Sequence, residues 1–219
     1  MIVVVGQPLH RVSAEGEWVD GLSARIALAA ASRGRTVQFV GKVGEDPEGD
    51  AIVLALTRGG VGHAALLREA GARTPAITMS IEHDESVDDL SGFASEREPA
   101  TPTMPRSLEA ADVDLALRYL SEFGVVVLAE PAFPDVIQVV AGAANWCGAR
   151  LIVVVAPGGT EPEGLPSAAV VFEAPEEDPD GTFAQLVGSF AAALDNGIDP
   201  AEAFRSSIES DGWTHSPGD

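Results

Sequence analysis

Residues 20–29 read DGLSARIALA and contain the pattern that decides the fold. Gly21 opens an alanine-rich segment of helical period over residues 21–33, and Gly34 suits the left-handed conformation that ends many helices. Continuous apolar runs of strand length lie on either side, at residues 2–5 and 36–40. A helix between two such runs is typical of parallel strands covered by helices.

The same alternation continues through most of the chain. It predicts further strands at residues 74–81, 125–129, 151–155 and 168–172. It predicts further helices at residues 47–57, 108–123, 135–147 and 181–194, and a last helix that opens at Asp199-Pro200. The expected fold class is therefore α/β, a three-layer sandwich with a mostly parallel sheet.

Two segments depart from this alternation. Residues 82–105 hold three prolines and acidic clusters with little periodicity, so we expect a surface excursion there. Residues 211–219 are mostly polar, and we expect them to form a frayed tail. Neither an internal repeat nor a linker divides residues 1–219, which we interpret as one domain.

Composition narrows the possible functions. The chain has 34 acidic and 13 basic side chains, a formal net charge of −21, so we expect it to bind neither nucleic acid nor anionic membranes. Cys147 is the single cysteine, which leaves no disulfide within the chain and no cysteine-rich metal site. Without a secretion signal or an apolar run of membrane-spanning length, the expected location is cytoplasmic. The acidity is compatible with a salt-adapted host. The preference for arginine over lysine is compatible with a GC-rich genome.

Three stretches resemble the ribokinase-like (PfkB-type) carbohydrate kinases. Residues 20–29, followed by Arg33-Gly34 and the apolar run at 37–41, are similar to the family's N-terminal motif. In that motif two glycines precede a helix, and an asparagine five residues on touches the sugar. Residues 41–50 are similar to the family's glycine-aspartate turn, and residues 190–204 to the helices after its anion hole. The resemblance implies a ribokinase-like fold and, for an intact member, phosphate transfer from ATP to a sugar or nucleoside.

The resemblance also implies a sugar-binding end. Its candidate positions in this chain are Gly21, Ser23, Arg25, Gly41, Gly44 and Asp46. Arg25 stands where the family has its asparagine, and residues 7–10 offer no acidic sugar ligand. Residues 7–20 are too short for the family's projecting lid strands, so we expect the lid to be missing.

The catalytic end departs further from the family. Phosphoryl transfer needs positioned charge and a base for the attacking hydroxyl, and the family supplies both with Gly-Ala-Gly-Asp at a helix start. This chain has Gly181-Thr182-Phe183-Ala184 instead. Gly181 and Thr182 remain candidate anion-binding residues, but the bulk of Phe183 is expected to obstruct backbone approach. Ala184 occupies the position of the base and cannot accept a proton.

The acids near this turn have simpler interpretations than catalysis. Asp180 is expected to cap the helix, and Asp178 to be solvated surface. Glu176 and Glu177 are interpreted as exposed acids rather than magnesium ligands. They follow the strand at 168–172 almost directly, so the strands that form the family's adenine pocket are expected to be missing.

These observations favour a degenerate, non-catalytic relative of a transferase, a pseudoenzyme that binds a small sugar-like ligand or a protein partner. Two alternatives stay open: an active PfkB-type sugar or nucleoside kinase, and a structural subunit that completes its fold in an oligomer. No cofactor or metal is expected, and magnesium and ATP enter only with the kinase alternative. The strand at 168–172 offers an open edge, which indicates a homodimer.

The net charge yields a first testable prediction. Repulsion among the acids destabilises the compact state, and a screening length of ~10 Å at 0.1 M salt relieves it. The melting temperature should therefore rise as the sodium chloride concentration increases from millimolar values. Thermal unfolding monitored by circular dichroism measures it. A flat or falling trend would contradict the argument.

Overall fold

The structure is a computed structural model that describes residues 1–13, 16–78, 107–120, 122–130 and 132–210. The predicted excursion at 82–105 and the predicted tail at 211–219 lie outside these residues. Among the helices described, none combines the length and apolar character needed to cross a membrane.

The elements alternate along the chain as the sequence predicts. In chain order they are β1 (Ile2–Val5), β2 (Leu9–Ser13), β3 (Gly16–Asp20), α1 (Leu22–Ser32), β4 (Val37–Gly44), α2 (Pro47–Arg58), β5 (Val61–Glu69), β6 (Ala76–Thr78), α3 (Ala110–Tyr119), β7 (Val125–Leu128), α4 (Pro134–Cys147), β8 (Arg150–Val155), β9 (Val170–Glu173), α5 (Thr182–Asp195) and α6 (Pro200–Ser210).

Six strands form the main sheet, in the order β5-β4-β1-β7-β8-β9. Every neighbouring pair is parallel, with β1 between β4 and β7 near the centre. Helices must then connect the strands, because a parallel strand needs a crossover to its neighbour. The predicted α/β fold with a mostly parallel sheet is confirmed.

Helices cover both faces of this sheet, and alternate β1 residues point to opposite faces. Ile2 and Val4 belong to the core shared with α1, α2, α5 and α6. Val3 and Val5 belong to the core beneath α3 and α4. Each fully buried side chain of this size contributes roughly 1.5–3 kcal/mol to folding, so a strand buried on both faces anchors two layers.

A second, smaller sheet corrects the expectation that residues 7–20 are too short to form lid strands. This sheet has the order β3-β2-β6: β2 and β3 are antiparallel, and β6 is parallel to β2. The third strand comes from a distant part of the chain, so length within residues 7–20 was the wrong criterion. Gly16, the first residue of β3, has a φ of 137°, a conformation that favours glycine.

The region between α2 and α3 also differs from the prediction. The sequence pattern predicts no strand at Val61–Glu69, yet β5 runs there as the edge of the main sheet. Of the strand predicted at residues 74–81, the described part is β6, and it belongs to the second sheet. Strand β5 mixes apolar with polar and charged residues because an edge strand is covered less completely.

Helices α1 and α5 approach each other closely at Gly188. A Cβ atom on Gly188 would lie 2.6 Å from the Cβ of Ala29, 2.9 Å from the nitrogen of Ala30 and 2.9 Å from the carbonyl oxygen of Ile26. Two of these neighbours are backbone atoms, which cannot rotate away. The contact therefore requires glycine at position 188.

This contact can be tested with two alanine substitutions in helices. Gly188→Ala should lower the free energy of unfolding by roughly 1–3 kcal/mol, because the added methyl overpacks the α1–α5 contact. Gly142 in α4 has no heavy atom within 4 Å of its notional Cβ, so Gly142→Ala should be neutral or stabilise by about 0.5–1 kcal/mol. Urea denaturation at one fixed protein concentration measures both, and equal effects would contradict this account.

Candidate functional site

The carboxyl ends of the parallel strands and the first turns of α1 and α5 meet at one edge of the main sheet. Ser23, in the first turn of α1, hydrogen-bonds to Glu130, which follows β7. Gly181 precedes α5, and its notional Cβ lies 3.5 Å from Nη1 of Arg25. Ligands of open parallel sheets bind outside this edge, so we take it as the candidate site.

Asp20 holds two arginines at the start of α1. Its side chain is 4% exposed and forms ion pairs with Arg11 and Arg25, and the backbone nitrogen of Gly21 donates to it at 2.8 Å. Burial alone would raise the pKa of Asp20, but the hydrogen bonds from Gly21 and Arg25 and the two arginine charges outweigh it and lower the pKa. Arg25, at the position of the family's asparagine, is thus held by an internal carboxylate.

Asp178 occupies the N-terminus of α5. Its Oδ1 accepts a hydrogen bond from the nitrogen of Phe183 at 3.0 Å, and its Oδ2 accepts one from the nitrogen of Ala184 at 3.1 Å. Its carbonyl oxygen accepts hydrogen bonds from Arg25 Nη1 at 2.5 Å and from the Gly181 nitrogen at 3.1 Å. The Phe183 and Ala184 nitrogens belong to the turn that the resemblance aligns with the anion hole, in which Gly181 and Thr182 are the predicted anion-binding residues.

Two expectations about this turn are wrong. Asp178, rather than the exposed Asp180, caps the helix, because left-handed Gly181 (φ 69°) turns the chain back over its own first turn. Phe183 does not obstruct the backbone: its ring is buried, with its centroid 6.4 Å from that of Phe172. The Asp178 carboxylate occupies the approach instead. Ala184, which the resemblance predicts at the position of the base, is buried.

Glu130 is a site residue that the sequence analysis missed. Its Oε1 lies 2.9 Å from Ser23 Oγ, and its Oε2 accepts a hydrogen bond from the Gln7 nitrogen at 3.1 Å. Burial raises the pKa of Glu130, and the hydrogen bonds from Ser23 and Gln7 only partly offset this. The available signal was an acid directly after the apolar run at 125–129, at the end of a predicted parallel strand.

The structure separates the other predicted sugar-binding positions into two groups. Ser23 is fully buried beneath the edge, and Gly41 faces the chain after β1, since its notional Cβ lies 2.8 Å from the Gly6 carbonyl oxygen. Gly44 and Asp46 belong to the turn between β4 and α2, where both bind Thr74.

Asp46 serves that turn as a helix cap. It accepts hydrogen bonds from Gly49 N, Thr74 N and Thr74 Oγ1. Burial acts to raise the pKa of Asp46, but these hydrogen bonds outweigh it and lower the pKa. Its acceptors are therefore committed to structure.

Two cavities open at the edge. One, of about 610 Å³, lies beside Arg11, Asp20, Arg25 and Asp178. The other, of about 250 Å³, is lined by Gln7 and Glu130 together with apolar side chains that include Leu108 and Phe133. No cluster of three or more His, Cys, Asp or Glu side chains that could hold a metal occurs in the described part of the chain.

Comparison with solved structures finds the same fold in proteins described as ribokinases and PfkB proteins. A PfkB protein from Polaromonas sp. JS666 has a TM-score of 0.65 at 14% identity over 96% of this chain and 94% of that chain. Arabidopsis thaliana ribokinase complexed with ribose and ATP has a TM-score of 0.63 at 16% identity over 96% and 90%. No family model and no curated protein matches by sequence. The chain therefore has the ribokinase-like fold, and the predicted resemblance is confirmed at the level of the fold.

The cap at α5 gives a prediction with a matched control. Asp178→Ala removes both acceptors for the first-turn N–H groups and should lower the free energy of unfolding by about 1–2 kcal/mol. Asp180→Ala, two residues away and exposed, should change it by less than about 0.5 kcal/mol. Denaturant unfolding distinguishes them, and the reverse order would show that Asp180 is the cap.

Proposed function

We propose that this chain is a non-catalytic protein of ribokinase-like fold that binds a small, neutral, sugar-like ligand at the carboxyl edge of its main sheet. One observation carries the proposal: the Asp178 carboxylate binds the N–H groups of Phe183 and Ala184, which would otherwise face a transferring phosphoryl group. In the same turn, Ala184 occupies the position of the base.

Both changes oppose phosphoryl transfer. Loss of a general base costs typically ~10²–10⁴-fold in rate. A helix N-terminus stabilises developing negative charge only when its donors are available, and here a carboxylate uses two of them. A phosphate approaching this turn would also meet the negative charge of Asp178. An active kinase would need a base and an anion site elsewhere.

The chain's own residues do not fit the nucleotide and metal that solved neighbours contain. A neighbour from E. coli is described in complex with ATP and Mg²⁺. In this chain Glu176 and Glu177 are exposed, and among the described residues no strand lies between β9 and α5. We therefore assign no step to ATP or magnesium. The cytoplasmic location and the single-domain organisation stay predictions.

The cavity beside Glu130 supports a polyhydroxylated ligand. A carboxylate has about four lone-pair positions. Glu130 accepts hydrogen bonds from the Ser23 hydroxyl, the Ser23 backbone and the Gln7 backbone. The remaining position can accept from a ligand hydroxyl. The cavity is also lined by the apolar side chains of Leu108, Phe133 and Val136, and apolar lining suits the C–H face of a sugar ring.

Two assays on the purified chain test the proposal. A coupled assay with ATP, magnesium and a panel of sugars and nucleosides should show no phosphate transfer, because the base is absent and the anion site is occupied. Thermal shift with the same panel, without nucleotide, should show stabilisation by a neutral sugar or polyol that grows with concentration.

A variant pair assigns the binding to its cavity. Glu130→Ala should abolish the thermal shift, whereas Glu176→Ala, which removes an exposed acid, should leave it unchanged. Magnesium-dependent turnover that chelation abolishes would support the kinase alternative instead. A shift that survives Glu130→Ala would place the ligand elsewhere.

A further inference from the structure

Helix α4 differs in charge from the rest of the chain after its first turn. Residues 136–147 of α4 contain no charged side chain, in a chain whose formal net charge is −21. The outward positions of this stretch include Gln138, Gly142, Asn145 and Trp146. A solvated helix face ordinarily carries charge, so an uncharged one indicates an interaction surface.

Trp146 is the most exposed large apolar side chain among the described residues, at 91%. On α3, Leu115 and Tyr119 are 69% and 73% exposed. Exposed apolar groups of this size are typical of protein–protein contact sites. Tryptophan and tyrosine are also the side chains that most often dominate the binding energy of interfaces.

A groove of about 540 Å³ lies beside Trp146, between the two helices. Its floor and walls include Leu117 of α3 and the small residues Gly142 and Ala143 of α4. Trp146 itself lines the groove, so a projecting ring and a recess belong to one patch. We call this patch the α3–α4 face. It is formed by Leu117, Gly142, Ala143 and Trp146, together with the ion pair described in the next paragraph.

The charges that line the groove cancel. Asp114 and Arg118 form an ion pair with 2.9 Å between Asp114 Oδ2 and Arg118 Nη2, and the other groove residues are uncharged. Two copies of a strongly acidic chain repel each other in general. The repulsion between two copies is smallest at a face where each copy presents an apolar surface and a single ion pair, here Asp114 with Arg118.

We propose that the α3–α4 face joins two copies of this chain in a twofold dimer. A twofold axis lets one patch serve both partners, so Trp146 of each copy enters the groove of the other. This places the interface away from the strand edge that the sequence analysis favoured. Strand β9 has only four residues and ends at Glu173, with Pro175 two residues beyond, and these features protect an edge from pairing.

Light scattering and sedimentation of the full chain across the micromolar range test the dimer. The mass should approach twice the monomer mass of 22.6 kDa. The dimer should become tighter as sodium chloride increases, since salt screens the repulsion between two acidic copies. A mass of one chain at every concentration and salt level would overturn the proposal.

Two tryptophan variants locate the interface. Trp146→Ala should weaken the dimer about tenfold or more, the effect expected at an interface centre. Trp18→Ala, in β3 on the second sheet, should leave it unchanged. Circular dichroism should show both variants folded, as expected for exposed positions. A dimer that Trp146→Ala does not weaken would overturn the proposal and direct attention to β9.

A second measurement follows Trp146 directly. The double variant Trp18→Phe, Trp213→Phe leaves Trp146 as the single tryptophan. Its fluorescence should shift to shorter wavelength, and acrylamide should quench it less, as the protein concentration increases. If the emission wavelength and the acrylamide quenching stay unchanged at concentrations where a dimer forms, Trp146 is excluded from the interface.

Discussion

The close contact between α1 and α5 is the constraint on which the site depends. Gly188 lets the backbones approach until a Cβ would meet Ala30 N and Ile26 O at 2.9 Å. The first turns of the two helices then lie side by side, and Arg25 of α1 reaches the chain that enters α5. A wider spacing would separate the end that resembles a sugar site from the end that resembles an anion hole.

Within that geometry the polar groups are mostly satisfied by one another. Asp20 forms ion pairs with Arg11 and Arg25. Asp178 accepts hydrogen bonds from two N–H groups of α5. Asp46 accepts hydrogen bonds from Thr74 and Gly49. An enzyme ordinarily leaves such donors and charges available for its transition state. Because those groups are then unpaired in the free protein, the folded state loses some stability. Here they contribute to folding instead. Glu130 is the exception, because burial disfavours its charged form and its raised pKa records that cost.

How much the sequence predicts depends on where the partners of each element lie. Strands β1, β7 and β8 could be predicted because both faces are buried, and each strand reads as a continuous apolar run. Strands β2 and β3 could not, since their short and partly charged sequences become strands through pairing with each other and with β6. Edge strand β5 was missed for a related reason: one side has no neighbour, so its apolar pattern is broken.

The same distinction explains the candidate site. Ala184 could be interpreted from sequence because the family motif fixes which position holds the base, and no tertiary contact is needed to see that alanine cannot accept a proton. The role of Asp178 could not, because it depends on the left-handed turn at Gly181 that brings a carboxylate back to N–H groups five and six residues ahead. The position of Glu130 after an apolar run was visible in the sequence, but its contact with Gln7 depends on the pairing of β1 with β7, which places the ends of two distant segments together. A motif position can thus be compared with its family from sequence alone, whereas the contacts around it depend on the fold.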